Sequence, residues 1–168
     1  YPEFKLHALS PPEVLHISRL NGLSTAAVID RLVAAGLDSI PGGGAEILVD
    51  RVRKLLNCYT KASADEWLGI MGQAHRAGLR TTATMMYGTV ETDEERIEHM
   101  MRLRDLQDET GGFQTFIPLA FHPENNSLMK LPAPTGVEDL RNYAVARLLL
   151  HNIPHIKAYW VMLGVKTA

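Results

Sequence analysis

The feature that most limits how this chain can fold is an end-to-end alternation of short strand-like runs with longer helical ones. Extended apolar or Thr-rich runs read as strands at Phe4–Leu9, Leu37–Ile40, Arg80–Tyr87, Phe113–Ala120 and His155–Leu163, spaced by about 30 to 45 residues. Helical runs fill the gaps at Pro11–Asn21, Ser24–Ala35, Ala45–Leu56, Ser63–Ala77, Asp93–Glu109 and Val137–Asn152. Their ends carry local signals. Ser24, Ser63 and Thr92 are N-cap residues, the last two in capping boxes with Glu66 and Glu95, while Gly36 and Gly78 stop helices and Gly111-Gly112 breaks one. Strands joined through helices are parallel neighbours, because a parallel pair needs a crossover connection. The expected fold is therefore α/β, with about five parallel βα units.

A closed (β/α) barrel and a doubly wound sheet both satisfy this rhythm. The polar residues favour the barrel. Pro41–Glu46, Tyr87–Glu91, His122–Asn126 and the Lys157/Tyr159 pair all lie on or just after strands. In a barrel those ends converge on one face, whereas an open sheet concentrates them at one switch point. A complete barrel takes about 250 residues, and this chain has 168. An incomplete TIM-type barrel is expected, with further strands before Tyr1 and after Ala168.

Composition removes several function classes. Hydrophobic residues make up 46% and charged residues 21%, the balance of a chain that buries a core. A net charge of −2 offers nucleic acid no basic footprint. No apolar run approaches the roughly 20 residues of a membrane-spanning helix. The one cysteine, Cys58, excludes an internal disulfide and any multi-cysteine metal site made by this chain, and it suits a cytoplasmic protein. The seven histidines have no metal-ligand spacing and read as packing or surface residues. The paired methionines, Met85-Met86 and Met100-Met101, read as core filling.

Four motifs carry candidate chemistry. Pro41-Gly42-Gly43-Gly44-Ala45-Glu46 follows a strand and opens a helix; Gly43 and Gly44 let the backbone approach a ligand, and Glu46 in the first turn can accept from an amine or ribose. A tight βα turn is the plainer alternative. At the end of the third strand, Tyr87 and Gly88 can present backbone groups to a purine edge, and Glu91 follows, although Glu91 also suits a helix start. His122, Glu124, Asn125 and Asn126 can orient a polar substrate, beside the alternative of a Pro- and Asn-rich turn. Lys157 and Tyr159 share one face of a strand, and parity alone leaves that face undecided.

In order, the segments PGGGAEIL, TTATMMYGTVET and RLRDLQDETGGFQTFIPLAFHPENN resemble the radical S-adenosylmethionine (SAM) enzymes of the futalosine route and the deazaflavin-precursor synthases. FQTFIPLAFHPENN and HIKAYWVMLGVKTA are most similar to the aminofutalosine synthase group, across essentially the whole chain. The resemblance implies a partial or full TIM-like barrel, SAM as both substrate and radical source, and a [4Fe–4S] cluster on a CxxxCxxC loop. It implies addition of a 5′-deoxyadenosyl radical to 3-[(1-carboxyvinyl)oxy]benzoate, giving 6-amino-6-deoxyfutalosine in menaquinone synthesis. By motif, Gly43, Gly44 and Glu46 fall on the methionyl or ribose side of SAM. Tyr87, Gly88 and Glu91 fall on the adenine side, and His122, Glu124, Asn125, Asn126 and Lys157 on the substrate side. No residue is assigned as a general base.

This chain departs from the pattern in lacking CxxxCxxC, and Cys58 cannot replace three thiolates. The expectation is thus an internal piece covering about the third through seventh barrel strands. Alone it should be inactive, and its open edges invite self-association. A futalosine cyclase or deazaflavin-precursor relative, or a cluster-free nucleoside-binding domain, are the alternatives.

Overall fold

The computed structural model describes residues 3–58, 60–125, 128 and 130–165. Helices α1 (Pro11–Asn21) and α2 (Thr25–Ala34) precede a two-residue strand β1 (Ser39–Ile40). Helices α3 (Asp50–Leu55) and α4 (Ala64–Arg76) lead to strand β2 (Arg80–Tyr87), and helix α5 (Asp93–Thr110) leads to strand β3 (Phe113–Ala120). Helix α6 (Gly136–Leu149), strand β4 (His155–Ile156) and a single helical turn α7 (Trp160–Leu163) complete the order.

The sheet runs β1-β2-β3-β4 with every pair parallel, and His7 adds a parallel bridge to Ser39 outside β1. Spatial order therefore follows chain order without reversal. That is barrel topology, since a doubly wound sheet must reverse at its switch point. The sheet does not close: β1 and β4 have no ladder between them.

Alternation along β2 shows which face is which. Thr81, Ala83, Met85 and Tyr87 are buried beneath the helices, whereas Thr82, Thr84 and Met86 are only half-buried on the inner face. Register places Thr115, Ile117 and Leu119 of β3 beside them. The helix-side core is dense, with Trp67 of α4 stacked on Phe113 at 6.3 Å and Val14, Ile29, Ile40, Met85, Met100 and Phe116 almost fully buried. Met85 and Met100 are core residues, as the paired methionines suggested.

The expected capping boxes at Ser63/Glu66 and Thr92/Glu95 are present, and Gly36, Gly78 and Gly111 adopt positive φ at helix ends. Three expected elements differ. Phe4–Leu9 makes only the His7 bridge and flanking bonds, because its neighbour β1 offers two residues and Leu9 turns to φ 63° before α1. The helix expected from Ala45 starts instead at Asp50, with Glu46 at φ 47° in a loop rather than in a first helical turn. The strand expected over His155–Leu163 stops at Ile156. There the Tyr143 hydroxyl donates toward Pro118 O (3.1 Å) and Lys157 O (3.3 Å) and accepts from Tyr159 N (3.4 Å), and α7 follows.

Candidate functional site

Because all strands are parallel, the loops after β1, β2 and β3 leave from the same, carboxyl-terminal edge of the sheet. They carry Gly43, Gly44 and Glu46; Gly88 and Glu91; and His122, Glu124 and Asn125. Cross-links tie these loops together. Met86 N donates to Glu46 O (2.9 Å), and Phe121 N donates to Tyr87 O (2.9 Å). Arg51 of α3 donates to Val90 O (2.9 Å) and pairs with Glu95.

The first loop is held from below. Gly42 bridges two threonines of β2: its N–H donates to Thr82 Oγ1 (3.0 Å) and its carbonyl accepts from Thr84 Oγ1 (2.6 Å). A side chain there would sit 2.7–2.9 Å from three β2 backbone atoms, so only glycine lets the chain lie this close. Beyond it the carbonyls are taken in turn. Gly43 O accepts from Trp67 Nε1 (3.2 Å), Gly44 O and Ala45 O from Arg53 Nη1 (3.1 and 2.5 Å), and Leu48 O from Arg102 (2.7 Å). His99 Nδ1 accepts from Leu48 N (2.9 Å). These bonds consume the carbonyls a helix from Ala45 would need, which explains its late start.

A trans peptide points its carbonyl and the next N–H in opposite directions. With carbonyls 43–46 occupied, the N–H groups of Gly44, Ala45, Glu46 and Ile47 face away from their donors, and among the described residues none has a hydrogen-bond partner. Ala45 and Ile47 are fully buried, so only the Gly44 and Glu46 N–H groups, on partly exposed residues, are candidates to meet an anionic or acceptor-rich ligand.

The second loop is built around Glu91. Its fully buried carboxylate accepts from Gly88 N (2.6 Å), Thr89 N (2.9 Å), Thr89 Oγ1 (2.7 Å) and Arg96 Nε (2.8 Å). Burial pushes its pKa up, but the hydrogen bonds from Thr89, Gly88 and Arg96 outweigh it and hold the group below the usual carboxylate range. The Glu91 side chain is thus committed to shaping its own turn. Tyr87 also points away from the inner face; it is fully buried, donates to Asp139 Oδ1 (2.6 Å), and lies under Arg96. Burial first, then that bond, pushes its phenol far up. Its backbone is not open at the rim either: the residue is fully buried and its carbonyl accepts from Phe121 N. Gly88, at φ 89°, sits so close to Pro134 that a side chain would meet the ring at 2.2 Å.

After β3, His122 and Glu124 are exposed with Nδ1 and Oε2 3.9 Å apart, and Asn125 takes φ 58°. Asn126 lies outside the described residues. Lys157 directly follows the last ladder pair, Phe116 with Ile156, and its N–H donates to Phe116 O (2.9 Å). Its Nζ stands 5.6 Å over the Tyr159 ring.

Arg53, Trp67 and His99, which position the first loop, carry no motif signal. They are recruited from 8 to 51 residues away in sequence. The cluster ligands implied by the motifs do not fit this chain. Cys58 is buried and donates to Arg53 O (3.4 Å), and burial pushes its thiol up rather than toward thiolate. Among the described residues no group of three or more His, Cys, Asp or Glu could hold a metal. Nor is any helix there long and apolar enough to cross a membrane.

The profile of the radical SAM superfamily matches residues 4–103, which include β1, β2 and the first two rim loops. The chain belongs to the radical SAM superfamily. Three relatives extend the likeness over the remainder. An aminodeoxyfutalosine synthase of Thermus thermophilus is 51% identical over 172 residues, and one of Streptomyces coelicolor is 41% identical over 177; these cover 100% and 99% of this chain. A 5-amino-6-(D-ribitylamino)uracil–L-tyrosine 4-hydroxyphenyl transferase of Methanosarcina acetivorans is 49% identical over 175 residues, covering 100% of it. This radical SAM chain spans 46% of the length of each.

Proposed function

We propose that the chain is the part of an aminofutalosine synthase covering about the third through seventh strands of its barrel. In that reading SAM lies across the loops after β1 and β2, and the second substrate lies against the loop after β3 and the inner face near Lys157. The observation that carries it is the delivery of Gly43–Glu46, Gly88 and His122 to one carboxyl edge by consecutive parallel strands. The 51% identity to the Thermus synthase supports the choice within the superfamily.

The reaction proposed is transfer of the 5′-deoxyadenosyl group of SAM to the vinyl carbon of 3-[(1-carboxyvinyl)oxy]benzoate, with loss of carbon dioxide, to give 6-amino-6-deoxyfutalosine in menaquinone synthesis. The [4Fe–4S] cluster would supply the electron that starts it; since this chain holds none of its ligands, no step runs through these residues. What they supply is placement. Backbone donors at Gly44 and Glu46 hold polar atoms of SAM, the Gly88 turn lets a flat base approach, and the half-buried Met86, Ile117 and Leu119 line an apolar inner wall. The 168-residue chain alone is expected to be inactive, and the site of action is expected to be the cytoplasm.

A second reading is favoured by the 49% identity to the Methanosarcina transferase. One experiment separates the two. A polypeptide of the relatives' full length carrying this chain is reconstituted anaerobically with iron and sulfide. It is then offered SAM with either the carboxyvinyl benzoate or tyrosine plus 5-amino-6-(D-ribitylamino)uracil. The proposal expects a brown protein and 6-amino-6-deoxyfutalosine by mass; product only from the tyrosine mixture selects the second reading, and no SAM cleavage with either rejects both.

A further inference from the structure

The β1–β2 ladder ends with Ile40 beside Thr81. Beyond it, Gly42 bonds to side chains of β2 rather than to its main chain: its N–H donates to Thr82 Oγ1 (3.0 Å) and its carbonyl accepts from Thr84 Oγ1 (2.6 Å). Both threonines are half-buried on the inner face, because side chains alternate along a strand, so the two bonds draw Gly42 onto that face across Ala83. Further along, Met86 N donates to Glu46 O (2.9 Å). The segment from Gly42 to Glu46 is thus an arch with both feet on β2. Gly43 and Gly44 at its crest are partly exposed. Trp67 and Arg53, both fully buried, grip the crest carbonyls from the helix side. Among the described residues, Thr82 and Thr84 supply the side-chain bonds that hold the loop from the inner face. One hydroxyl accepts and the other donates, so together they fix both the place and the orientation of Gly42. Without them the arch is held from the helix side, and its crest is free to shift relative to the inner wall.

We propose that Thr82 and Thr84 are positioning residues of the ligand site, clipping Gly42 to β2 so that the Gly44 N–H stands where it receives an acceptor group of bound SAM. This rests on the reading that SAM occupies the loop after β1.

The test uses the full-length, cluster-reconstituted polypeptide with two variants. Thr84→Val keeps the branched shape and removes the hydroxyl, whereas Thr84→Ser keeps the hydroxyl. SAM affinity is measured by equilibrium dialysis, with circular dichroism as the folding control and the affinity for 3-[(1-carboxyvinyl)oxy]benzoate alongside. The expected result is a SAM dissociation constant raised about fivefold or more in Thr84→Val and restored to within about twofold of wild type in Thr84→Ser. The affinity for the benzoate should stay within about twofold in both. A purely structural role would lower the thermal stability of Thr84→Val and leave its folded fraction binding SAM normally, and that outcome overturns the proposal. Equal weakening by Val and Ser overturns it as well, since the hydroxyl would then not be the cause. In wild type, hydrogen exchange in peptides covering residue 44 should slow when SAM is added. Unchanged exchange there with SAM demonstrably bound overturns it too, even if Thr84→Val does not fold. Wild type that fails to bind SAM removes the underlying reading instead, and this inference with it.

Discussion

Two interior imidazoles act as neutral struts. His75 stands between Thr110 Oγ1 (2.6 Å) and Thr81 Oγ1 (2.7 Å), and its ring packs so tightly under Gly112 that a side chain there would overlap it. Burial, aided by Arg76 and Arg80, pushes its pKa down to about 4; burial, aided by Arg53 and Arg102, pushes His99 down to about 3. Both lie below the unfolded value, so the unfolded chain takes protons first as pH falls. Their stabilisation is complete above about pH 6.5 and is lost downward through pH 4 and then pH 3, at about 1.4 kcal/mol per pH unit for each histidine. The urea midpoint of the protein should therefore drop between pH 7 and pH 5, and His75→Gln should flatten that dependence; a midpoint independent of pH in this window contradicts it. The sequence had marked the histidines as packing or surface residues, and these two are packing residues. It could not say which of the seven were interior, because that depends on what the helices lay over them.

At the scale of elements, local signals served best where a helix is capped by its own residues. The boxes at Ser63 and Thr92 were legible, and the matching Thr135/Glu138 box of α6 was present in the sequence though unread. Elements started late or ended early where a side chain from outside the segment competes for the backbone. Arg53 and Trp67 do this before α3, and Tyr143 does it after β4. Tyr143→Phe should remove the hydroxyl from between β3 and the segment after Ile156, costing about 1 kcal/mol and speeding amide exchange at Tyr159, whose N–H loses its acceptor. Exchange at Tyr159 unchanged from wild type would show that the hydroxyl does not hold this edge.

For the molecule as a whole, the parallel sheet ends in two unclosed edges, one at the His7 bridge and one at β4. Apolar side chains are exposed beside the second. Val137, Leu140 and Leu148 lie on α6, and Trp160 and Val161 on α7, each more than half accessible. Unpaired parallel edges with apolar flanks favour association. The 168-residue chain should sediment as a dimer, with Leu148→Lys shifting it toward monomer; a monomer at all concentrations would contradict this.

The order of strands and helices, the barrel topology and the placing of glycines at strand ends were set by local pattern, because period, caps and turn chemistry act over a few residues. The tertiary structure decided the rest: Glu91 closed on its own turn, Tyr87 turned under the helices, Glu46 left outside a helix, and the loop after β1 gripped by Arg53. Each depends on a partner brought near by folding, and side chains meeting across the sheet leave no periodic trace along the chain.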